Sequence, residues 1–493
     1  MVSTIGTLYG PSLALLTDLY QLTMAYSYWN SGTYTKEAVF HLYFRKAPFN
    51  NGLSIACGLH YTIDYLKRFR FDKDDIAYLK TLLGSDGKAL FPEDFLEYLA
   101  NLKFTCDVDC VPEGTIVFPQ EPLLRIQGPI IECQLLETAL LNIWNFQTLV
   151  ATKAYRVKHA AGADPVLEFG CRRAQGVDGS LTASWAAHVG GCDSSSNVLA
   201  GKVFGIPVSG THAHSWVMSF DDELTAFKEY AKALPNNCVF LVDTYDTLEG
   251  VKHAIEVGKL LKADGHKLLG IRLDSGDLAY LSIEARTLLD DAGFTDTKIV
   301  ASNDLDENII ASLNAQGAQI NVWGVGTKLI TAFDQPALGG VYKLAATKEP
   351  NKDWKYTIKL SEQAAKISTP GIQQIRRFFT DDRYLADAVY DSNSPLRKPF
   401  VIVDPLDMTR RKQISDDTQF NDLLVPVFRE GKQVYSPPAR PEIKSYVAEQ
   451  LNKFHPTIKR LLNPHEYPVG LEQDLQKLRT ELILKARGLT QPV

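Results

Sequence analysis

The residues best equipped for chemistry lie between Leu167 and Met218. The run LEFGCRRAQGVDGSLTAS places Arg172 and Arg173 directly after a short apolar stretch. GGCDSSSNVLAG follows, then GIPVSGTHAHSWVM, in which an apolar run ends in Ser209-Gly210-Thr211-His212-Ala213-His214-Ser215. An arginine offers forked, bidentate contacts to carboxylate or phosphate. Small residues let backbone N–H groups come close to an anion, and a helix beginning near Ala213 would aim its positive end there. His214 can donate, accept or attack as a nucleophile. The plain alternative is a polar inter-strand loop with Thr211 as a helix N-cap, and short motifs alone do not decide between the two.

The elements that must hold these residues begin after Gly162. Apolar, strand-like runs occur at 165–169, 205–208, 238–242, 268–273, 298–302 and 319–323, with helical patterns such as 247–263, 278–291 and 305–315 between them. This alternation predicts parallel strands joined by crossover helices, as a barrel or an open doubly wound sheet. Polar residues end several runs: Asp243 ends VFLVD, Arg272 and Asp274 end LGIRLD, Asn303 ends IVASN, and Gly324 follows INVW. Catalytic groups of barrel enzymes collect at such strand ends, and phosphate sites often lie late in the barrel. There the piece Gly324-Val325-Gly326-Thr327 could form a tight anion-binding loop. Each Asp or Asn could merely cap a helix, but their recurrence in successive units points to one shared pocket.

Upstream, residues 13–30 have the spacing of an amphipathic helix carrying Tyr20, which on its own reads as a half-buried aromatic. Residues 37–46 alternate like a strand and lead into Arg45-Lys46-Ala-Pro-Phe-Asn-Asn-Gly52, either a phosphate-facing loop or a strand edge guarded by charge. Helical patterns at 56–70, 73–83 and 92–101, short strands over 104–127 and a long helix over 130–161 complete the picture. The expected organisation is an α+β N-terminal domain (1–150), an irregular α/β barrel of parallel strands (151–365), and a C-terminal helical extension packing on the core (366–493).

The chain's 493 residues suffice for two or three domains, and its net charge of −6 excludes a whole-surface nucleic-acid binder. No apolar run is long enough to span a bilayer and the N-terminus lacks a basic leader, so a cytoplasmic protein is expected. The seven cysteines form no disulfide framework. Cys106 and Cys110 share a strand face without a second ligand pair at zinc spacing, and read as buried thiols.

The runs LEFGCRRAQGVDGSLTAS, GGCDSSSN and SGTHAHS, in that order after an N-terminal LLTDLYQLTMAYSYW, resemble the nicotinate phosphoribosyltransferase family over residues 13–375. The resemblance implies a ligase that joins nicotinate to phosphoribosyl pyrophosphate through a C–N bond, for NAD biosynthesis by salvage, with Mg²⁺ and with ATP as co-substrate. It implies that His214 is phosphorylated by ATP, and that Tyr20 stacks on the pyridine ring from the partner subunit of a homodimer. Thr211 and Arg272 would hold nicotinate. Gly324, Gly326 and Thr327 would cradle the 5-phosphate, and Arg172, Arg173, Asp274 and Asn303 would meet the rest of phosphoribosyl pyrophosphate. His212 rivals His214 by proximity alone. Cys171 and Val177 depart from the family pattern at positions not expected to alter the chemistry.

The missing acid/base pair fits such a reaction. Pyridine nitrogen is largely unprotonated at neutral pH, pyrophosphate leaves as an anion, and the sugar passes through an oxocarbenium-like state. Positioning and electrostatics then carry the acceleration. The alternatives are a related enzyme taking nicotinamide or quinolinate and a non-catalytic barrel that binds phosphorylated metabolites. A Schiff-base lysine barrel is disfavoured because no strand ends in lysine.

Overall fold

The computed structural model describes Gly10 and residues 12–489. The predicted alternation after Gly162 folds into a six-stranded sheet. Its strands are Val166–Glu168, Ser194–Ser195, Val239–Leu241, Gly270–Leu273, Lys298–Ala301 and Val322–Val325. All neighbours run parallel, in the spatial order 194, 166, 322, 298, 270 and 239 by first residue. Phe240, Ile271, Ile299 and Trp323 are fully buried, as parallel strands covered by crossover helices require. The helices Thr247–Ala263, Leu278–Asp291 and Glu307–Ala315 alternate with the strands. Each begins at an aspartate, Asp246, Asp277 or Asp306, whose carboxylate accepts an N–H from the first turn. These three aspartates are caps.

The strand expected at 205–208 is reduced to a single bridge between Ser195 and Val208, because Pro207 has no N–H to offer a ladder. The same stretch reaches the other end of the sheet, where His212 Nε2 accepts the Leu241 N–H at 3.2 Å. The sheet and its helices belong to one unit, Val150–Pro336, and the chain before and after it forms a second unit.

The second unit is built on a seven-stranded antiparallel sheet whose interior strand Glu37–Phe44 is buried along all but its first residue. Gly340–Lys348 pairs with it, so residues 337–365 join this unit, and the parallel unit ends at Pro336 where the sequence suggested 365. The C-terminal part also differs from expectation. Residues 366–489 hold more strand than helix, and Gln373–Thr380, Arg383–Asp391 and Phe400–Val403 belong to a second, six-stranded sheet. Among the described residues its long helices are Arg440–Lys453 and Gln473–Ala486. The strand QQIRRFFT hides its period because Arg377 is buried, bound to Asp387 at 2.5 Å, so a charge occupies a core position. All seven cysteines are free thiols, and all but Cys171 are buried. No described helix is long and apolar enough to cross a membrane.

Candidate active site

Arg272 lies on the strand Gly270–Leu273 and is fixed on three sides. Its Nη1 donates to Thr211 Oγ1 at 2.9 Å, its Nε to Ser302 Oγ at 2.8 Å and its Nη2 to Asp274 Oδ1 at 2.7 Å. The Phe169 ring centre lies 5.5 Å from the guanidinium carbon. The Ser302 hydroxyl is also within reach of Asp274, closing a triangle. Burial alone would raise the Asp274 carboxyl, but the Ser302 hydrogen bond and the charges of Arg272 and His214 hold it below its usual range. Thr211 in turn donates to the His212 carbonyl at 3.0 Å, so the loop supplying it is anchored as well.

His214 opens the short helix His214–Met218, with Ala213, in place of the expected Thr211, at the cap. Its side chain is 40% exposed, and its Nε2 stands 3.8 Å from Asp274 Oδ2 and 3.9 Å from Asp243 Oδ1. Its Nδ1 is 3.2 Å from Thr244 Oγ1. Asp243 Oδ2 accepts the Asp274 N–H at 2.9 Å and the Ser275 hydroxyl at 2.6 Å, while Oδ1 is buried without a hydrogen-bond partner among the described residues. The imidazole is therefore reachable from solvent and faces two carboxylates. His212 is the opposite case. Accepting the Leu241 N–H requires an unprotonated Nε2, and burial, with the Arg272 and His214 charges adding, lowers its pKa to about 4. It ties a loop to a strand, while His214 keeps its Nε2 facing the two carboxylates.

The remaining predicted residues divide. Arg172 and Arg173 sit in the exposed turn Cys171–Arg173. Asn303 follows the strand Lys298–Ala301 at the surface, with φ of 87°, a conformation that L side chains adopt rarely and that clusters at functional sites. Gly326 and Thr327 are half-buried where the strand Val322–Val325 passes into the short helix Thr327–Ile330. Gly324 differs from its expected place: it is buried inside that strand, and a Cβ there would meet the Phe169 ring at 2.7 Å. Its missing side chain makes room for an aromatic wall. Sequence reasoning passed over Ser302, Thr244 and Glu168, and gave Asp243 no role of its own.

Tyr20 belongs to the other unit, on the helix Leu19–Asn30, and is 47% exposed. Burial and the charges of Glu137 and Asp18 raise its phenol pKa. Glu137 also faces Lys343, whose pKa is lowered by burial and by the like charges of Arg45 and Lys359, with Glu137 opposing. Arg45 Nε is buried without a hydrogen-bond partner among the described residues. The FRK turn thus contributes to a cationic patch of its own.

A parallel α/β unit presents, near its strand ends, an arginine held by three partners, an imidazole facing two carboxylates and a glycine loop, donors of the kind that small anions take. Residues 15–145 match the nicotinate phosphoribosyltransferase N-terminal domain, 165–378 the nicotinate phosphoribosyltransferase family and 372–479 the nicotinate phosphoribosyltransferase C-terminal domain. The nicotinate phosphoribosyltransferase of Bacillus subtilis (strain 168) is 47% identical over 468 residues, 94% of either chain. That of Dictyostelium discoideum is 38% identical over 94% of this chain and 86% of its own. The crystal structure of human nicotinic acid phosphoribosyltransferase superposes with a TM-score of 0.83 at 32% identity, covering 94% of this chain and 99% of the human one. The chain belongs to the nicotinate phosphoribosyltransferase family.

Proposed function

We propose that this chain is an ATP-coupled nicotinate phosphoribosyltransferase. It joins nicotinate to phosphoribosyl pyrophosphate, giving nicotinate mononucleotide and pyrophosphate, in the cytoplasmic salvage of nicotinate for NAD biosynthesis. The observation that carries this reading is the line Arg272–Asp274–His214, in which one carboxylate lies 2.7 Å from the guanidinium and 3.8 Å from the imidazole. Arg272 and Thr211 receive the substrate carboxylate. The guanidinium's remaining Nη hydrogens point a cation that cannot lose its charge at an anion, and an amide gains less from such a partner.

Gly326 and Thr327 hold the 5-phosphate, with Gly324 shaping the wall behind them. Arg172 and Arg173 meet the pyrophosphate, and Asp274 and Asn303 address the ribose. Tyr20 stacks on the pyridine ring from the partner subunit of a homodimer. The stretch 206–212, touching both end strands, closes the parallel sheet into an irregular α/β barrel. His214 attacks the γ-phosphorus of ATP, so that an N–P bond forms as the bond to the ADP oxygen breaks. Water later cleaves the phosphohistidine, returning the imidazole and phosphate. No group of three or more His, Cys, Asp or Glu side chains among the described residues is arranged to hold a metal ion. Mg²⁺ commonly takes one or two carboxylates plus substrate phosphates, and Asp274 and Asp243, with its unpartnered Oδ1, fit that role. Bound with pyrophosphate, it supplies neutralisation of the leaving group.

The test is pyrophosphate release with nicotinate, nicotinamide or quinolinate, with and without ATP. Nicotinate is expected to react fastest and ATP to stimulate it. Faster turnover of either other substrate overturns the assignment. His214→Ala is expected to abolish labelling from γ-labelled ATP together with the stimulation, and retained labelling would exclude His214 as the acceptor.

A further inference from the structure

The strand Val166–Glu168 ends in a carboxylate with no exposure to solvent. A buried carboxylate is costly unless its oxygens are satisfied, and those of Glu168 are. Oε1 accepts the Gly170 N–H, while Oε2 accepts the hydroxyls of Ser184 at 2.9 Å and Ser195 at 2.5 Å. These donors come from three segments: the residue that opens the twin-arginine turn, the helix Val177–Val189 behind it, and the next strand in sequence.

The network returns to its start. Ser195 Oγ accepts the Asn197 N–H at 2.9 Å, and Asn197 Nδ2 donates to Ser184 Oγ and Ser180 Oγ at 3.2 Å each. Ser180 then donates to Cys171 Sγ at 3.0 Å. The turn is thus gripped at Gly170 and again at Cys171. Gly170 also packs so closely on the glycine loop that a Cβ would lie 2.5 Å from Ile330 and 2.8 Å from the Gly326 carbonyl oxygen. Whatever fixes Gly170 fixes the arginine turn relative to that loop. The arginine side chains are exposed, so their aim depends on the backbone that carries them.

We infer that Glu168 is a positioning residue, holding the Gly170–Arg173 turn against the Gly326 loop so that Arg172 and Arg173 meet the anionic end of phosphoribosyl pyrophosphate. This rests on the proposed contact between those arginines and that substrate. Glu168 itself touches no substrate; it acts through the turn. Glutamine keeps an oxygen for the Gly170 N–H, and the serines can rotate to accept its amide. Alanine leaves the Gly170 N–H without a partner.

The experiment is steady-state kinetics on E168A, E168Q, the R172A/R173A double variant and its combination with E168A. E168A is expected to raise KM for phosphoribosyl pyrophosphate about tenfold, the consequence of one orphaned buried donor, and to leave KM for nicotinate within about twofold. E168Q is expected to recover most of the loss. In the R172A/R173A background E168A should add less than about twofold, because groups acting through one another are not additive. Equal effects with and without the arginines, or equal effects on both substrates, overturn the inference. If R172A/R173A raises KM and E168A does not, the positioning role alone falls. If R172A/R173A leaves KM unchanged, the proposed arginine contact falls and the inference with it. Should E168A fail to fold, judged by its melting transition, E168Q combined with S195A carries the same comparison.

Discussion

The site at the parallel strand ends and the cationic patch of the antiparallel unit handle charge in opposite ways. Around Arg272 the donors are engaged in advance: Thr211, Ser302 and Asp274 each take one, and Asp274 is tied back through Ser302 and through its own N–H to Asp243. Around Lys343 the cations are crowded. Burial, Arg45 and Lys359 all disfavour its charge, and Glu137 offsets them only in part. The first arrangement stabilises itself and needs little reorganisation when a substrate arrives. The second stores repulsion that an anion relieves. Geometry is built at one place and appetite for negative charge at the other.

The largest effect should come from the preassembled side. A lysine at 272 cannot serve Thr211, Ser302 and Asp274 together, so Arg272→Lys is expected to lower kcat/KM for nicotinate at least about hundredfold. It should also depress the melting temperature, since Asp274 and Ser302 lose a partner. In the crowded patch, Lys343→Gln is expected to leave the melting temperature unchanged or higher, because repulsion is removed along with the charge. An equal loss of stability in both variants would break the comparison. A finer measurement is proton uptake. With its pKa lowered, Lys343 sheds its proton earlier than an ordinary lysine as pH rises, and an approaching anion raises that pKa again. Binding of inorganic pyrophosphate to that patch at alkaline pH should therefore take up protons, seen by calorimetry in buffers of different ionisation enthalpy. Lys343→Gln should lose that uptake.

Much of the preassembled side could be read in advance, because its signals are local. Thr247–Ala263 and Leu278–Asp291 have the predicted bounds, since an aspartate cap and an apolar stripe mark both. Arg272 and Asp274 stood out as charges at the end of an apolar run. What escaped depends on contacts across the chain. Ser302 matters only because a strand 30 residues earlier presents Arg272 to it. Glu168 looked like part of a strand, although a carboxylate inside VLEF is a signal that could have been used. The C-terminal sheet was obscured by Arg377, a buried charge whose partner Asp387 lies on the adjoining strand. Gly324 was assigned from its motif, and only the Phe169 ring reveals why a side chain is excluded.

The smallest effect at working pH belongs to His212, and it separates two imidazoles two positions apart. With its pKa at about 4 in the folded chain against 6.5 ordinarily, His212 is neutral at neutral pH. As pH falls below 6.5 the unfolded chain takes up this proton first, so stability drains away down to about pH 4 and levels off below it. At about 1.4 kcal/mol per pKa unit, the loss from this one site is on the order of 3 kcal/mol. His212→Gln should remove that share of the pH dependence from the urea midpoint measured at acid and at neutral pH, and should leave nicotinate turnover at neutral pH within about threefold of the parent. His214→Gln should instead abolish the ATP-stimulated part of turnover. If His212→Gln instead abolished phosphorylation, or left the acid midpoint untouched, the division between an imidazole that holds a loop and one that reacts would have to be redrawn.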